Sequence, residues 1–277
     1  MSPPAPGPDR YAVFGHPISH SLSPFIQTRF AAQMGEVIEY TTIDTPPGEF
    51  ASHAHAFFAS GARGANVSLP FKVDAFRFAK HVSERATLAG AANFLVARDG
   101  AIDADNTDGV GLVNDLQANH GAALGGARIL ILGAGGAVRG VVAPLLACGP
   151  KSLMVANRTR ARAAQLRSQF ADLGPIDACG LESVAGAYDL VINATSASTR
   201  GESLAIPAGI FAPGALAYDM AYGPKAKPFV EGALRAGAAR ACDGLGMLVE
   251  QAAESYALWR GKRPATAAVL AELRARS

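Results

Sequence analysis

The chain has 277 residues, of which 49% are hydrophobic and 17% are charged, and its formal net charge at pH 7 is +2. This length suits two domains, the composition is that of an ordinary globular protein, and the near-neutral charge does not indicate a nucleic-acid-binding or membrane-binding surface. The three cysteines, Cys148, Cys179 and Cys242, are scattered without a C-x-x-C pair, so neither a disulfide framework nor a zinc ribbon is predicted.

The N-terminal stretch MSPPAPGPDR has no apolar core of the kind found in signal peptides, and no apolar run reaches membrane-spanning length. We therefore expect a cytoplasmic protein. The proline-rich composition of the first ten residues predicts a disordered tail.

The segment from residue 11 to about residue 105 alternates strand and helix patterns, which predicts an α/β domain. The helix SLSPFIQTRFAAQMG has clear end signals: Ser23 as N-cap, Pro24 at the first helical position and Gly35 just past the end. The strand candidates are YAVFGHP, EYTTID, GANVSLP and ANFLVARDG.

A second unit begins with VGLVNDLQANHG and continues as strand, glycine turn, helix, strand, helix and two further strands. This order predicts a doubly wound nucleotide-binding domain of the Rossmann type. Near the C-terminus, LVEQAAESYALWRG predicts an amphipathic helix that ends before Gly261.

The glycine turn ILGAGGAVRG follows an apolar strand and precedes a helix. Gly133 allows the tight turn and Gly135 lets the backbone approach a pyrophosphate at the helix N-terminus. Val138 stands where the common fingerprint has glycine or alanine, so the match is imperfect. With a strand before it and a helix after it, the turn predicts dinucleotide binding.

The strand SLMVAN ends in Asn157 and Arg158 rather than in the acidic residue that binds the ribose of NAD. Arg162 follows closely, and arginine suits a phosphate because its guanidinium group offers a planar fork of donors. The missing acid and the clustered arginines favour NADP over NAD. For Arg160 and Arg167 a solvated helix face is the alternative interpretation.

In the first domain, polar residues cluster at the ends of elements. Ser21 and Ser23 lie at a helix N-terminus, which favours an anion. Lys72 ends the strand segment NVSLPFK, and Asp108 precedes a helix. Taken alone, Ser23 is typical of a helix cap, Lys72 of a solvated surface and Asp108 of an ordinary turn, and only Ser21 favours ligand binding. No metal site is predicted, because the histidines lack partners at ligand spacing.

Together these motifs resemble the shikimate dehydrogenase family. The likeness covers nearly the whole chain and rests on AVFGHPISHSLSP, GANVSLPFK, DNTDGVG, ILGAGGAVRG, ANRTRARA, VINATS and DGLGMLVEQAA, in the family's order. It implies an NADP-dependent oxidoreductase that reversibly reduces 3-dehydroshikimate to shikimate in aromatic amino acid and chorismate biosynthesis. It also implies a substrate-binding domain at residues 1–108, completed by helices at 244–277, and an NADP-binding domain at 109–243.

The resemblance assigns Lys72 and Asp108 as the catalytic pair. Oxidation of an alcohol needs a base at the hydroxyl oxygen, and Lys72 could serve there. An adjacent carboxylate favours the charged ammonium, so Asp108 is expected to orient the lysine and the substrate. The implied substrate-binding residues are Ser21, Ser23, Ser68, Lys72, Asn93, Asp108, Tyr222 and Gln251.

On the cofactor side, the resemblance implies a pyrophosphate turn, a 2′-phosphate clamp and several further positions. The turn comprises Gly133, Ala134, Gly135, Gly136 and Ala137, and the clamp comprises Asn157, Arg158, Thr159 and Arg162. The further positions are Glu84, Thr195, Met220 and Gly244. The expected partner is a small-molecule substrate, without nucleic acid or membrane, for a monomer or homodimer.

The sequence departs from the family pattern at Phe94, Ser198 and Lys227. Phe94 follows Asn93 and could reshape the pocket, so quinate or an amino analogue of shikimate stays open as the substrate. A non-catalytic NADP-binding regulator is a further alternative. Such a protein would not need Lys72 and Asp108, and the presence of both residues favours an enzyme. A folate-linked oxidoreductase would lack the serine pair.

Overall fold

The computed structural model describes residues 7–195, 197, 206–207 and 209–276. Within these ranges the chain divides into two compact units: the first runs to Thr107 and resumes at Gln251–Arg276, and the second covers Asp108–Glu250. Each unit is built on its own six-stranded sheet. None of the helices in these ranges is long and apolar enough to cross a membrane.

The first unit has a mixed sheet in the order β2-β1-β3-β5-β6-β4. Strand β1 pairs in parallel with β2 and β3, whereas β5 pairs antiparallel with β3 and β6. The strands are β1 (Asp9–Gly15), β2 (Ile38–Asp44), β3 (Gly64–Val67), β4 (His81–Val82), β5 (Phe94–Arg98) and β6 (Ala101–Asp105). The helices are α1 (Ser23–Gln33), α2 (Phe50–Ala59), α3 (Lys72–Phe78), α4 (Glu84–Ala89) and α10 (Ala267–Arg276).

Strand β1 begins earlier than the sequence predicts. Asp9 and Arg10 belong to the strand, so a disordered tail of ten residues is wrong for these two positions. The Asp9 carboxylate accepts hydrogen bonds from Arg63 Nε at 2.9 Å and from Arg260 Nη1 at 2.5 Å. These two cations hold the pKa of Asp9 below its ordinary value, so the start of the strand is fixed by ion pairs. Residues 1–6 lie outside the described part of the chain.

The predicted N-cap of α1 is wrong. Leu22 occupies that position, and Ser23 is the first helical residue. The Ser21 hydroxyl accepts a hydrogen bond from the Ser23 backbone N–H at 3.2 Å and so acts as the local cap. Gly35 has φ +67°, the left-handed conformation that commonly follows a helix end, as predicted.

Both faces of the first sheet are buried, and the side chains of β1 alternate between them. Ala12 and Phe14 point to one face, where the ring of Phe14 packs on Phe50 and Phe57. Tyr11 and Val13 point to the other, where they form a cluster with Ile18, Tyr40 and Trp259.

The second unit confirms the doubly wound prediction. Its strands are all parallel, and their order is that of dinucleotide-binding domains: third, second, first, fourth, fifth, sixth. The strands are β7 (Arg128–Leu132), β8 (Ser152–Asn157), β9 (Ile176–Gly180), β10 (Tyr188–Asn193), β11 (Phe211–Asp219) and β12 (Arg240–Asp243). The helices are α5 (Asp108–Asn114), α6 (Gly136–Ala147), α7 (Arg160–Phe170) and α8 (Lys227–Arg235).

Helix α5 continues into a π-helical turn at Asp115–Asn119 that the sequence does not indicate. The buried Asp115 carboxylate accepts hydrogen bonds from Tyr218 Oη at 2.6 Å and Asn119 Nδ2 at 2.9 Å. Helix α9 (Leu245–Arg260) starts beside this carboxylate, because a Cβ on Gly246 would stand 1.9 Å from Asp115 Oδ1. The predicted C-terminal helix is confirmed, and Gly261 follows it with φ +74°.

Candidate functional site

The glycine turn of the second unit is shaped to leave its backbone open. Gly133 has φ +115°, and a Cβ there would stand 2.8 Å from the carbonyl oxygen of Ala194. A Cβ on Gly135 or Gly136 would meet nothing within 4 Å, so the start of α6 faces open space. Val138 is fully buried, so the departure at this position is accommodated in the core.

The other residues assigned to the cofactor side of the second unit follow the carboxyl ends of its strands. Thr195 lies beside the glycine turn, since its backbone nitrogen is 3.1 Å from the Cβ position of Gly133. A Cβ on Gly244 would stand 2.6 Å from the carbonyl oxygen of Met220. In open parallel sheets ligands bind outside this edge, at the point where the strand order reverses.

Two buried residues that sequence reasoning missed stabilise the loops at the carboxyl ends of β10 and β11. Asn193 donates from Nδ2 to Asp219 Oδ2 at 3.0 Å, and its Oδ1 accepts from the Thr195 hydroxyl at 2.8 Å. Asp219 Oδ1 accepts from the Ala221 backbone N–H at 2.9 Å. The signal was a polar residue at the end of each of two apolar strands, in VINATS and ALAYDM.

The proposed phosphate clamp lies at the junction of β8 and α7. Asn157 Nδ2 donates to the carbonyl oxygen of Thr159 at 2.9 Å, which fixes the loop, and Thr159 is the N-cap of α7. Arg158 and Arg162 are exposed. Arg167 instead lies 3.4 Å from Asp177 Oδ1, as expected of a surface ion pair.

These residues fit NADP. The open glycine cradle suits a pyrophosphate at a helix N-terminus, and the end of β8 carries an amide and a guanidinium where NAD-binding domains carry an acid. Gly133, Gly135 and Gly136 would hold the pyrophosphate, and Arg158 with Arg162 would hold the 2′-phosphate.

Residues of the proposed substrate site in the first unit come from several segments around β1 and β3. The Ser68 backbone N–H donates to the carbonyl oxygen of Phe14 at 2.8 Å, and His16 N–H donates to that of Leu69 at 3.1 Å. Lys72 does not end a strand as predicted: β3 stops at Val67, and Lys72 opens α3. Its carbonyl oxygen accepts from Ala92 N–H at 2.8 Å, which brings its backbone close to Asn93.

Asn93 and Gln251 meet in a buried polar cluster. Asn93 Nδ2 lies 3.2 Å from Gln251 Oε1 and 3.0 Å from the hydroxyl oxygen of Thr107. The structure therefore brings together two predicted substrate residues that are 158 positions apart in the chain. Thr107 was missed because a threonine before a helix is an ordinary turn residue.

The same cluster extends through three further residues that were missed. Asn66 Nδ2 donates to Ser255 Oγ at 2.9 Å, and Asn66 Oδ1 accepts from the Tyr40 hydroxyl at 2.7 Å. Complete burial raises the pKa of the Tyr40 phenol well above its ordinary value, and the neighbouring Ser23 side chain acts in the opposite direction. Tyr40, Asn66, Asn93 and Gln251 are thus joined by one buried hydrogen-bond network.

Three predicted residues remain to be described. Asp108 is buried at the first position of α5. Tyr222 follows β11 in the second unit, and burial raises the pKa of its hydroxyl. Glu84 opens α4 in the first unit and is exposed.

The departures at Phe94 and Lys227 are absorbed without disturbing the cluster. The Phe94 ring is only 3% exposed and stacks on Trp259 with ring centroids 5.2 Å apart, so its bulk lies in the core. Lys227 forms a surface ion pair with Glu231, whose carboxylate oxygen lies 3.8 Å away. Ser198 lies outside the described residues.

Known proteins resemble this chain over nearly its whole length. Family models match the shikimate dehydrogenase substrate-binding domain at residues 13–95, shikimate/quinate 5-dehydrogenase at 115–201 and the shikimate 5′-dehydrogenase C-terminal domain at 244–274. A shikimate dehydrogenase (NADP(+)) from Methylococcus capsulatus is 53% identical over 97% of each chain.

Solved structures extend the likeness to the fold. An Ael1 enzyme from Pseudomonas putida shares 45% identity and a TM-score of 0.92 over 96% of this chain and 98% of that one. Shikimate 5-dehydrogenase from Thermus thermophilus, in complex with NADP(H) and shikimate, shares 32% identity and a TM-score of 0.85 over 96% and 98%. The chain therefore belongs to the shikimate dehydrogenase family, whose NADP-dependent members it matches over nearly its whole length.

Proposed function

We propose that this protein catalyses the reversible, NADP-dependent reduction of 3-dehydroshikimate to shikimate. The observation that carries the proposal is the buried network of the first unit, which joins the matched residues Asn93 and Gln251. The second unit supports it with an open glycine cradle and arginines suited to a 2′-phosphate. When bound, NADPH would supply the hydride for the carbonyl carbon of the substrate.

Substrate binding is assigned to the serines and amides of the first unit. The Ser21 oxygen already accepts the Ser23 N–H, so its hydroxyl proton is directed toward another acceptor, such as a carboxylate. Ser68, Asn93 and Gln251 provide hydroxyl and amide groups for the ring hydroxyls. Such paired polar contacts reject analogues that lack the matching group, because buried partners are then left unsatisfied.

Lys72 is the proposed general acid and base. In the reduction direction its ammonium gives a proton to the carbonyl oxygen as that oxygen becomes an alkoxide, and in oxidation the neutral amine removes the hydroxyl proton. Asp108 is assigned to orienting the substrate hydroxyl and the lysine. The residues named for the NADP site, including Thr159, Ala134 and Ala137, remain part of this proposal, as do Glu84 and Tyr222.

The domain assignment is also part of the proposal, with the substrate bound by residues 1–108 and 244–277 and NADP by residues 109–243. A cytoplasmic location and a monomeric or homodimeric state complete it. Quinate or an amino analogue of shikimate is the second candidate substrate. One of the matching family models is itself described as shikimate/quinate 5-dehydrogenase.

The proposed role of Lys72 is tested by Lys72→Met. We expect kcat with shikimate and NADP to fall by about 10²–10⁴-fold, because general acid–base catalysis contributes about that much. Lys80→Met is the matched control, since Lys80 is an exposed lysine two residues after the end of α3 and should keep wild-type turnover. The assay follows nicotinamide absorbance, and near-wild-type turnover by Lys72→Met would remove the lysine from the mechanism.

A further inference from the structure

Thr107 lies at the centre of the buried polar cluster, between two residues assigned to the substrate. Its side chain is fully buried, Asn93 is 3% exposed and Gln251 is 9% exposed. The Thr107 hydroxyl oxygen is 3.0 Å from Asn93 Nδ2, 3.3 Å from Gln251 Oε1 and 3.3 Å from Ser255 Oγ. Its backbone nitrogen is 2.8 Å from Asn93 Oδ1.

These contacts fix the direction of the hydrogen bonds that join Thr107, Asn93 and Gln251, starting from the Thr107 backbone N–H. A backbone N–H can only donate, so the atom of Asn93 that faces the Thr107 nitrogen must be the amide oxygen. The Asn93 NH₂ group then points to the Thr107 hydroxyl and to Gln251. Because NH₂ donates, the Gln251 atom facing it must be the amide oxygen, and the Gln251 NH₂ group is turned to the opposite side.

The Thr107 hydroxyl reinforces the same orientation. It accepts from Asn93 Nδ2, which leaves its own proton for Asn93 Oδ1 at 3.2 Å, or for Gln251 Oε1 or Ser255 Oγ at 3.3 Å. Ser255 in turn donates to the backbone carbonyl of Gln251 at 3.0 Å, one turn earlier in α9. The acceptor end of the Gln251 amide therefore faces the Asn93 NH₂ group and the Thr107 hydroxyl, which come from two chain segments.

We propose that Thr107 is a positioning residue that sets the hydrogen-bonding polarity of the substrate site. Through Asn93 it holds the Gln251 oxygen inside the protein, so that Gln251 presents its NH₂ group to the ligand. The proposal rests on the proposed function, in which Asn93 and Gln251 contact substrate. Its chemical consequence is a preference for a hydrogen-bond acceptor, a carboxylate or hydroxyl oxygen, and discrimination against an ammonium group at that position.

The first test compares Thr107→Val with Thr107→Ser. Valine has nearly the shape of threonine but no hydroxyl, so Asn93 Nδ2 loses an acceptor and Gln251 Oε1 loses a donor. We expect kcat/KM for shikimate to fall about ten- to a hundredfold, mainly through KM, since buried polar groups are left unsatisfied. Thr107→Ser keeps the hydroxyl and should stay within about threefold of wild type by the same reasoning.

Thr87→Val is the matched control outside the cluster. Its hydroxyl binds the carbonyl oxygen of Ser83 on the exposed face of α4, so the loss should leave kinetics unchanged. Thr107→Val with wild-type kcat/KM would overturn the proposal. Thr107→Ser as impaired as Thr107→Val would also overturn it, because the retained hydroxyl would then not preserve the kinetics. A wild-type protein inactive with shikimate and NADP would instead reject the proposed function.

Gln251→Glu tests the polarity independently, even where Thr107→Val fails to fold. An ionised carboxylate only accepts, so kcat/KM for shikimate should fall at least about tenfold at pH 8. Relative to wild type, activity should recover as the pH is lowered, because a protonated carboxyl can accept on one oxygen and donate from the other. A Gln251→Glu enzyme within about threefold of wild type at pH 8 would show that Gln251 presents its oxygen, and would overturn the proposal.

Discussion

At the scale of single residues, the positive charges of Arg158 and Arg162 after β8 are expected to decide between NADP and NAD. Arg158→Ala and Arg162→Ala should each reduce the preference for NADP over NAD by about tenfold or more, since a charge-assisted hydrogen bond contributes about 1.5–3 kcal/mol. Binding of NADP and NAD, measured by titration calorimetry, gives the ratio directly. Arg167→Ala is the control on the same helix, because this arginine pairs with Asp177 and should leave the ratio unchanged. An unchanged ratio in Arg158→Ala and Arg162→Ala would contradict the clamp.

The sequence could indicate these residues only where the signal is local. The clamp and the glycine turn each lie within a few consecutive residues, so their chemistry follows from spacing. The link from Thr107 to Gln251 spans 144 positions, and no spacing rule connects them. Ser23 shows a subtler limit: its chemistry suits an N-cap, but Ser21 accepts the hydrogen bond and Ser23 is the first helical residue.

At the scale of elements, helix α9 approaches the first sheet closely at one glycine. A Cβ on Gly64 would stand 2.2 Å from Trp259 Nε1, which donates to the carbonyl oxygen of Leu95 at 3.0 Å. Gly64→Ala should therefore lower the free energy of unfolding by about 1–3 kcal/mol, as overpacking does. Urea unfolding measures the change.

Gly125→Ala is the control for that substitution. Gly125 is exposed, and the nearest atom to its Cβ position is 3.4 Å away, so the change should stay within about 0.5 kcal/mol of wild type. Equal free energies of unfolding for the two variants would mean that the packing of α9 on the first sheet does not require glycine at position 64.

The π-helical turn carries a pH-dependent contribution to stability. Burial alone would raise the pKa of Asp115, but the nearby His120 and the hydrogen bonds from Tyr218 and Asn119 outweigh it and hold the pKa below the ordinary 3.8. A carboxyl with a lowered folded-state pKa stabilises the protein above its unfolded-state pKa and loses that effect as the pH falls through the folded value.

Asp115→Asn should therefore be less stable than wild type by about 1–3 kcal/mol at pH 7, because partners of the carboxylate are left poorly satisfied. The difference should shrink once the pH falls below 3.8. Urea unfolding at several pH values between about 7 and 3 follows it. A difference that widens toward acid pH would contradict the assigned direction.

Element types were largely predictable because hydrophobic periodicity and end signals are local. The exceptions have physical reasons. The β5–β6 hairpin turns at Asp99 and Gly100, with φ of 49° and 75°. An Asp-Gly pair is typical of such a turn, but here it also fits the end of the strand candidate ANFLVARDG. Helix α3 has seven residues and starts directly after an apolar run, which also fits a strand. The π-helical turn depends on Tyr218, a residue 103 positions away.

At the scale of the whole molecule, the chain has one unit whose buried polar network suits a small hydroxylated acid and one whose sheet edge suits NADP. The packing of Phe94 on Trp259 removes the main structural ground for an altered pocket. We therefore expect the family's usual substrate. The choice among shikimate, quinate and an amino analogue depends on the substrate groups that meet Asn93 and Gln251.

The most direct test of the central claim is turnover by the purified wild-type protein, followed by nicotinamide absorbance. Shikimate or quinate is offered with NADP or NAD in all four combinations. We predict that kcat/KM is highest for shikimate with NADP, which requires both the polar network and the arginine clamp to act as described. A higher kcat/KM for quinate or for NAD, or no turnover in any combination, would contradict the account.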